Sequence, residues 1–148
     1  GDGTTGGIYD DLSNAWHIQF IDGGETRLYH AGAEKLNTLS GGIYVTGDLT
    51  ASGNVTAYSA ERLKSNIQTI YSALDKVQQL RGVSFEKDGR QDIGVIAQEV
   101  EKVLPELVDT THEYLAVSYG NMVGLLIEAI KEQQTQIDDL KARLEALE

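Results

Sequence analysis

Apolar and polar positions follow a different rhythm in each part of this chain. Up to Ala57, short alternating runs are punctuated by Gly6-Gly7, Asp22-Gly23-Gly24, Gly41-Gly42, Gly47-Asp48 and Gly53-Asn54, a spacing that predicts many short strands. Trp16 to Ile21 alternates, and Asp22-Gly23-Gly24-Glu25 reads as a hairpin turn into Thr26–His30. From Gly42 to Ala57 a loose repeat sets β-branched pairs between small polar turns, so each unit offers only one or two apolar side chains. A lone chain builds no core from that. Disorder is one reading; the other, favoured by the frequency of Val, Ile, Tyr and Thr, is an interwoven β-prism or triple β-helix closed by partner chains.

After Ser65 the period changes. Thr69 is placed to cap a helix carrying Ile70, Leu74, Val77 and Leu80, stopped at Gly82. Val83-Ser84-Phe85 and Ile93–Ile96 read as two strands joined through Lys87-Asp88-Gly89-Arg90. A second helix gathers Val100, Val103 and Leu104 on one face and breaks at Pro105. Ser118 then caps the last and longest helix, 118–148, which has a heptad reading. Val123, Ile130, Ile137 and Leu144 fall at a; Leu126, Gln133, Leu140 and Leu147 fall at d, so one seam position is polar. Glu128, Glu132, Asp138, Asp139 and Glu145 mix with Lys131, Lys141 and Arg143 on the other faces, as on a solvated coiled-coil exterior. Self-association through this seam is expected, because residues 131–148 hold few apolar side chains elsewhere. A single amphipathic helix folded against its own domain is the alternative.

Bulk composition narrows the function classes. With 148 residues, the chain suffices for one ordinary domain or two short pieces without independent cores. It has no cysteine, which excludes disulfides, thiol catalysis and Cys-based zinc sites. A formal charge of −11 opposes a phosphate-tracking surface, so no nucleic-acid partner is expected. No run of about 20 apolar residues and no basic-then-apolar leader is present, so the expectation is a soluble protein without membrane insertion. His17, His30 and His112 are too scattered for a local metal motif, and Gly42-x4-Gly47 is followed by Asp48 instead of Lys; neither metal nor cofactor is expected. Asp10-Asp11 and Asp138-Asp139 read as turn and helix surface, and Trp16, Tyr29 and Tyr44 as packing aromatics before glycan-stacking ones.

Candidate chemistry sits where the composition changes. In Ser59-Ala60-Glu61-Arg62-Leu63-Lys64-Ser65-Asn66-Ile67 a serine precedes a lysine by five positions. A lysine accepts a hydroxyl proton only when neutral, which means lowering an ordinary pKa of about 10.4 to about 7–8, or roughly 4 kcal/mol. Burial or a neighbouring cation such as Arg62 supplies that kind of shift, and burial by other chains is the stronger source.

Further motifs accompany this pair: Gly94-Val95-Ile96-Ala97-Gln98-Glu99-Val100, Val103-Leu104-Pro105-Glu106-Leu107-Val108, Val117-Ser118-Tyr119, and the helix around Leu126, Ile127, Ala129 and Ile130. Together, over residues 58–148, they resemble the C-terminal intramolecular chaperone, auto-processing domain of bacteriophage tail fibres and tail spikes, a family of Ser-Lys self-cleaving domains. The resemblance implies an α+β fold with residues 1–59 as the β-rich end of a fibre and 60–148 as the chaperone. It implies a homotrimer, although β-branched a with Leu at d leans toward two strands. It also implies Ser59 as nucleophile and Lys64 as base, a cut beside Ser59 and Ala60, and Glu61, Arg62, Leu63 and Asn66 as supporting motif. Where the family has Asp-x-Arg-Leu-Lys after the serine, this chain has Ala60, and an uncleaved chain is expected, either disabled in processing or naturally non-cleaving. Attack of Ser59 on its own carbonyl would close a strained four-membered lactone; attack on the preceding carbonyl gives an N-to-O acyl shift and a cut before the serine. Both remain open at this level. The function implied is a chaperone that trimerises and templates a fibre, acting in the host cytoplasm during assembly, while the fibre joins the virion and can meet a host receptor. A structural trimerisation or receptor-binding module that never cleaves is the alternative.

Overall fold

A computed structural model describes residues 5–147; residues 1–4 and 148, the outer ends of the two segments assigned above, lie outside the described residues. The chain divides into two compact units, Gly1–Ser59 and Ala60–Glu148. The architecture is α+β with antiparallel sheets and a long C-terminal helix.

Five short strands, β1 (Thr5–Asp10), β2 (Ala15–Ile21), β3 (Thr26–His30), β4 (Ala33–Leu39) and β5 (Gly42–Val45), form an antiparallel meander in sequence order within one chain. The β1–β2 turn is held by Asp10, whose carboxylate accepts from the Leu12 amide at 3.0 Å and the Ser13 hydroxyl at 2.6 Å. The turn expected at residues 22–25 joins β2 to β3, with the Gly24 amide donating to the Ile21 carbonyl at 3.0 Å. Ala31 and Gly32, with φ of 50° and 78°, close the next hairpin, which the sequence reading had not assigned because alanine rarely takes a left-handed φ. Gly7 is a position where no side chain fits: a Cβ there would lie 2.0 Å from the Ile18 carbonyl oxygen. The repeat read over residues 42–57 yields a strand only at β5. From Thr46 to Ala60 there is no regular element, because the small polar residues provide neither a second apolar row nor a paired edge.

The second unit opens with one 3-10 turn, Glu61–Leu63, followed by α1 (Ala73–Gln79), the hairpin β6 (Val83–Lys87) and β7 (Arg90–Gly94), α2 (Ala97–Val103), a 3-10 turn at Pro105–Leu107, the short pair β8 (Val108–Asp109) and β9 (Ala116–Val117), and α3 (Met122–Glu145). The hairpin matches its sequence signal. Lys87 pairs with Arg90 across Asp88-Gly89, both at positive φ (53° and 74°), as a two-residue turn of this hand requires. Helix α2 ends before Pro105 as expected. The start of α1 differs from expectation: Ser72 takes φ 52°, ψ 40°, so the helix begins at Ala73 and not beside Thr69. Ile70 and Leu80, outside the helix, still pack on the core.

That core is small: Ala73, Val100, Leu104, Leu107, Leu125 and Ala129 are buried, with Leu74, Val77, Val95, Val103, Val108 and Met122 partly buried against them. Six buried residues make a thin core for a unit of this length.

Candidate functional site: the junction at Ser59 and the terminal helix

The strip that carries the candidate chemistry is built almost entirely from local backbone. Ser59 closes the first unit, and Ala60, extended at φ −63° and ψ 138°, opens the second. The Leu63 amide donates to the Ala60 carbonyl at 3.0 Å and the Lys64 amide to the Glu61 carbonyl at 2.9 Å, closing a single turn with Arg62 in its middle. Lys64 returns to extended backbone, and Asn66 turns the chain again at φ 53°. Every residue from Thr46 to Thr69 is exposed on the single chain, the large apolar ones included: Tyr58 is 98% exposed, Leu63 63% and Ile67 62%. Among the described residues, nothing buries the Ser59–Lys64 strip.

Helix α3 has two working faces, and the sequence reading assigned only one. Met122, Leu125, Ala129 and Glu132, at i, i+3, i+7 and i+10, turn toward the core. The heptad seam lies roughly a quarter turn away and is left open, with Val123 56%, Leu126 46%, Ile130 64%, Ile137 40%, Leu140 55%, Leu144 65% and Leu147 84% exposed. Gln133 shares this seam, and Ile127, 48% exposed, widens the apolar band.

Glu132 was expected on the solvated exterior. Instead its two carboxylate oxygens accept from the Ala73 and Leu74 amides at 2.9 and 2.8 Å, so a side chain of α3 caps the first turn of α1. The Leu74 and Ala73 amides hold its carboxyl below the usual carboxylate range. This explains how α1 starts without a local cap: Ser72 supplies no side-chain bond. Its signal in the sequence was the 122, 125, 129, 132 spacing, overshadowed by the longer seam. Because the folded-state pKa is depressed, the stability Glu132 adds is fully present above the unfolded value near 4.5 and is lost as pH falls through the folded value. Glu132→Gln is therefore expected to lower the thermal midpoint by several degrees at neutral pH, with the gap to the parent chain closing below about pH 4.5. Thermal unfolding followed by circular dichroism across pH 3–7 checks this; a gap constant with pH would reject the charge-assisted cap.

Two further contacts brace the framework under α3. The Val95 amide donates to the Tyr119 hydroxyl at 3.3 Å, and a Cβ on Gly94 would lie 2.6 Å from that oxygen, so Gly94 admits Tyr119. Arg81 donates to Glu99 at 2.5 Å, tying the end of α1 to α2 and holding the Glu99 carboxyl below its usual range. Among the described residues, no three His, Cys, Asp or Glu side chains sit together as a metal site would require, and no helix is long and apolar enough to cross a membrane.

Residues 59–109, from the candidate serine through the helix–hairpin–helix core to β8, match the family described as chaperone of endosialidase. Residues 59–109 belong to the chaperone-of-endosialidase family. Long tail fibre protein Gp37 of Enterobacteria phage K3 is 33% identical over 79% of this chain, and its counterpart in phage T2 is 34% identical over 68%. Gp37 of Salmonella phage S16 is 32% identical over 76%. This chain spans only 10%, 9% and 16% of those proteins. The chaperone-of-endosialidase match begins at Ser59, the residue at which the first compact unit ends.

Proposed function

We propose that residues 60–148 are an intramolecular chaperone of a phage tail fibre, which trimerises through α3 and brings three copies of the preceding β unit into register. The observation that carries this is the open seam. A 24-residue helix already commits one face to its own core, yet presents a second apolar row along its length. Burying a large apolar side chain contributes about 1.5–3 kcal/mol, so closing a seam of this length would add substantially to the stability that the small core supplies. A coiled coil of three helices satisfies it, with the polar Gln133 fixing register. The relatives' identity as long tail fibre proteins supports the virion setting, and assembly in the host cytoplasm follows from it.

Autoproteolysis belongs to the same reading. In an assembled trimer the exposed strip 58–67 meets neighbouring chains. Lys64, acting as base, takes the Ser59 hydroxyl proton as the oxygen attacks the Tyr58 carbonyl. Breaking the Tyr58–Ser59 C–N bond frees the Ser59 amine, which receives that proton, and leaves an ester that water cleaves to a carboxylate and the restored hydroxyl. With Ala60 in place of the family's aspartate, this chain keeps the fold and assembly role and lacks a group that would orient Lys64 or shuttle the proton. A structural trimerisation or receptor-binding module without processing is the second reading, supported by Ala60 itself.

The chaperone assignment predicts a one-way dependence. Backbone ordering costs about 1–2 kcal/mol per residue, and the first unit has no buried residue among those described to offset it. Residues 60–148 alone are expected to fold and associate, whereas residues 1–59 alone stay unfolded or aggregate. Circular dichroism and light scattering on the two fragments test this. Efficient refolding of residues 1–59 without the C-terminal unit would sink the assignment.

A further inference from the structure

The basic residues of this chain are unevenly protected. There are 12 Lys and Arg residues, and each is a point at which a trypsin-class endopeptidase, whose specificity pocket carries a carboxylate, can cut. Such an enzyme takes its substrate extended over several residues, so a basic residue inside a strand, a helix or a tight turn is cut only after local opening. Arg27 and Lys35 lie in β3 and β4, and Lys87 and Arg90 flank the two-residue turn of the β6–β7 hairpin. Arg81 stands in the short link between α1 and β6, held by Glu99 at 2.5 Å. Between Lys35 and Lys76 there are two cations, Arg62 and Lys64. Both sit in the run from Thr46 to Thr69, where every residue is exposed and the 3-10 turn is the only regular element.

Of the two, Lys64 has the better-presented bond. Arg62 lies in the middle of the 3-10 turn closed by the Leu63 and Lys64 amides, and Glu61 sets a carboxylate directly before it. Lys64 is extended at φ −122° and ψ 151°, and its neighbours Leu63, Ser65 and Asn66 carry no charge. After Lys64 the next carboxylate along the chain is Asp75. A cut at this bond falls just inside the second unit and divides the chain cleanly: residues 1–64 keep all five strands of the sheet, and residues 65–148 keep the whole buried core.

We infer that the Lys64–Ser65 bond is a cleavage site for a trypsin-class endopeptidase acting in trans, open while the chain is unassembled and closed by assembly. Water adds across the bond: its oxygen joins the Lys64 carbonyl carbon, the C–N bond breaks, and the Ser65 nitrogen takes a proton and leaves as an amine. This product differs from that of self-cleavage, which parts the chain beside Ser59, and its formation needs neither the Ser59 hydroxyl nor a carboxylate at residue 60. The consequence is opposite as well. A copy cut before association has lost α3, so its β unit is left without a template, whereas an associated copy has the strip covered by neighbouring chains. A protease of this class thereby removes unassociated copies and leaves assembled ones intact. The gating rests on the association proposed for α3; the site itself rests on the exposure and extended backbone of the single chain.

Limited digestion of the full chain with trypsin tests both parts, read by intact-mass spectrometry of the first products and by sedimentation of the starting protein. In the variant Ile130→Asp with Ile137→Asp, the first products are expected to be 1–64 and 65–148, formed roughly tenfold faster than in the trimeric parent. Ser65→Pro turns the bond into a tertiary amide, which trypsin-class enzymes do not cut, and the extended Lys64 accepts a following proline. That variant is expected to lose this cut with Ser59 and Lys64 still in place. First cuts elsewhere in the dissociated variant, or an unchanged rate after residue 64 in Ser65→Pro, overturn the site. Equal rates in a trimeric parent and a monomeric variant overturn the gating and leave the site standing. An Ile130→Asp with Ile137→Asp protein that stays trimeric overturns the assembly helix, and the gating with it.

Discussion

The double variant Ile130→Asp with Ile137→Asp is expected to sediment as a monomer, with its helical circular dichroism largely retained. Both residues lie on the seam, at 64% and 40% exposure, and neither belongs to the core set of Leu125 and Ala129. Removing two large seam residues forfeits about 1.5–3 kcal/mol apiece in every copy. The replacement also sets like carboxylates against one another across a low-dielectric interface, which adds several kcal/mol more against association. The Glu132 cap and the apolar row beneath it are untouched, so the unit itself persists. Sedimentation equilibrium checks the mass. An unchanged trimer would mean that α3 is not the assembly element, and the chaperone reading would lose the observation that carries it.

Ala60→Asp is expected to turn an intact chain into two fragments divided beside Ser59, whose masses sum to the intact mass plus one water. The turn that follows residue 60 is made by backbone bonds of Ala60, Leu63 and Lys64, so an aspartate enters without a change of fold. What it adds is a carboxylate beside the Ser59–Lys64 strip, able to orient the lysine or relay a proton; positioned groups of this kind contribute about 10²–10⁴ in rate. Intact-mass spectrometry under assembly conditions reads the result. Adding Ser59→Ala or Lys64→Ala should abolish the fragments, and adding Ile130→Asp with Ile137→Asp should slow their appearance if, as proposed, partner chains bury the strip. A stable full-length mass for Ala60→Asp in the assembled state would remove self-processing from the proposal. If the fragments form, the released β unit should resist unfolding yet fail to refold once denatured, because its template has gone.

Much of the chaperone unit was legible because its signals are local. Asp88-Gly89 specifies a two-residue turn through the φ values those residues tolerate, Pro105 ends α2 by lacking an amide hydrogen, and the seven-residue repeat from Val123 to Leu144 depends only on helical periodicity. The Ser59–Lys64 pair is proposed from a contiguous run of the same local kind.

The amino-acid sequence thus determined by itself the strand-rich first part, the helix–hairpin–helix order of the second and the apolar seven-residue repeat of α3. Each follows from spacing within about two turns of helix or one hairpin. Tertiary structure alone decided that Glu132 caps α1, that Gly94 makes room for Tyr119, that α3 turns Leu125 and Ala129 inward while its seam stays open, and that Ile8, Ile18, Leu28, Leu36 and Val45 align into one row. The Glu132 oxygens and the α1 amides are 58 and 59 residues apart in the chain, and the apolar row depends on the register of four successive hairpins. No local propensity encodes such pairings; they arise when burial selects one arrangement among the many that short-range preferences allow.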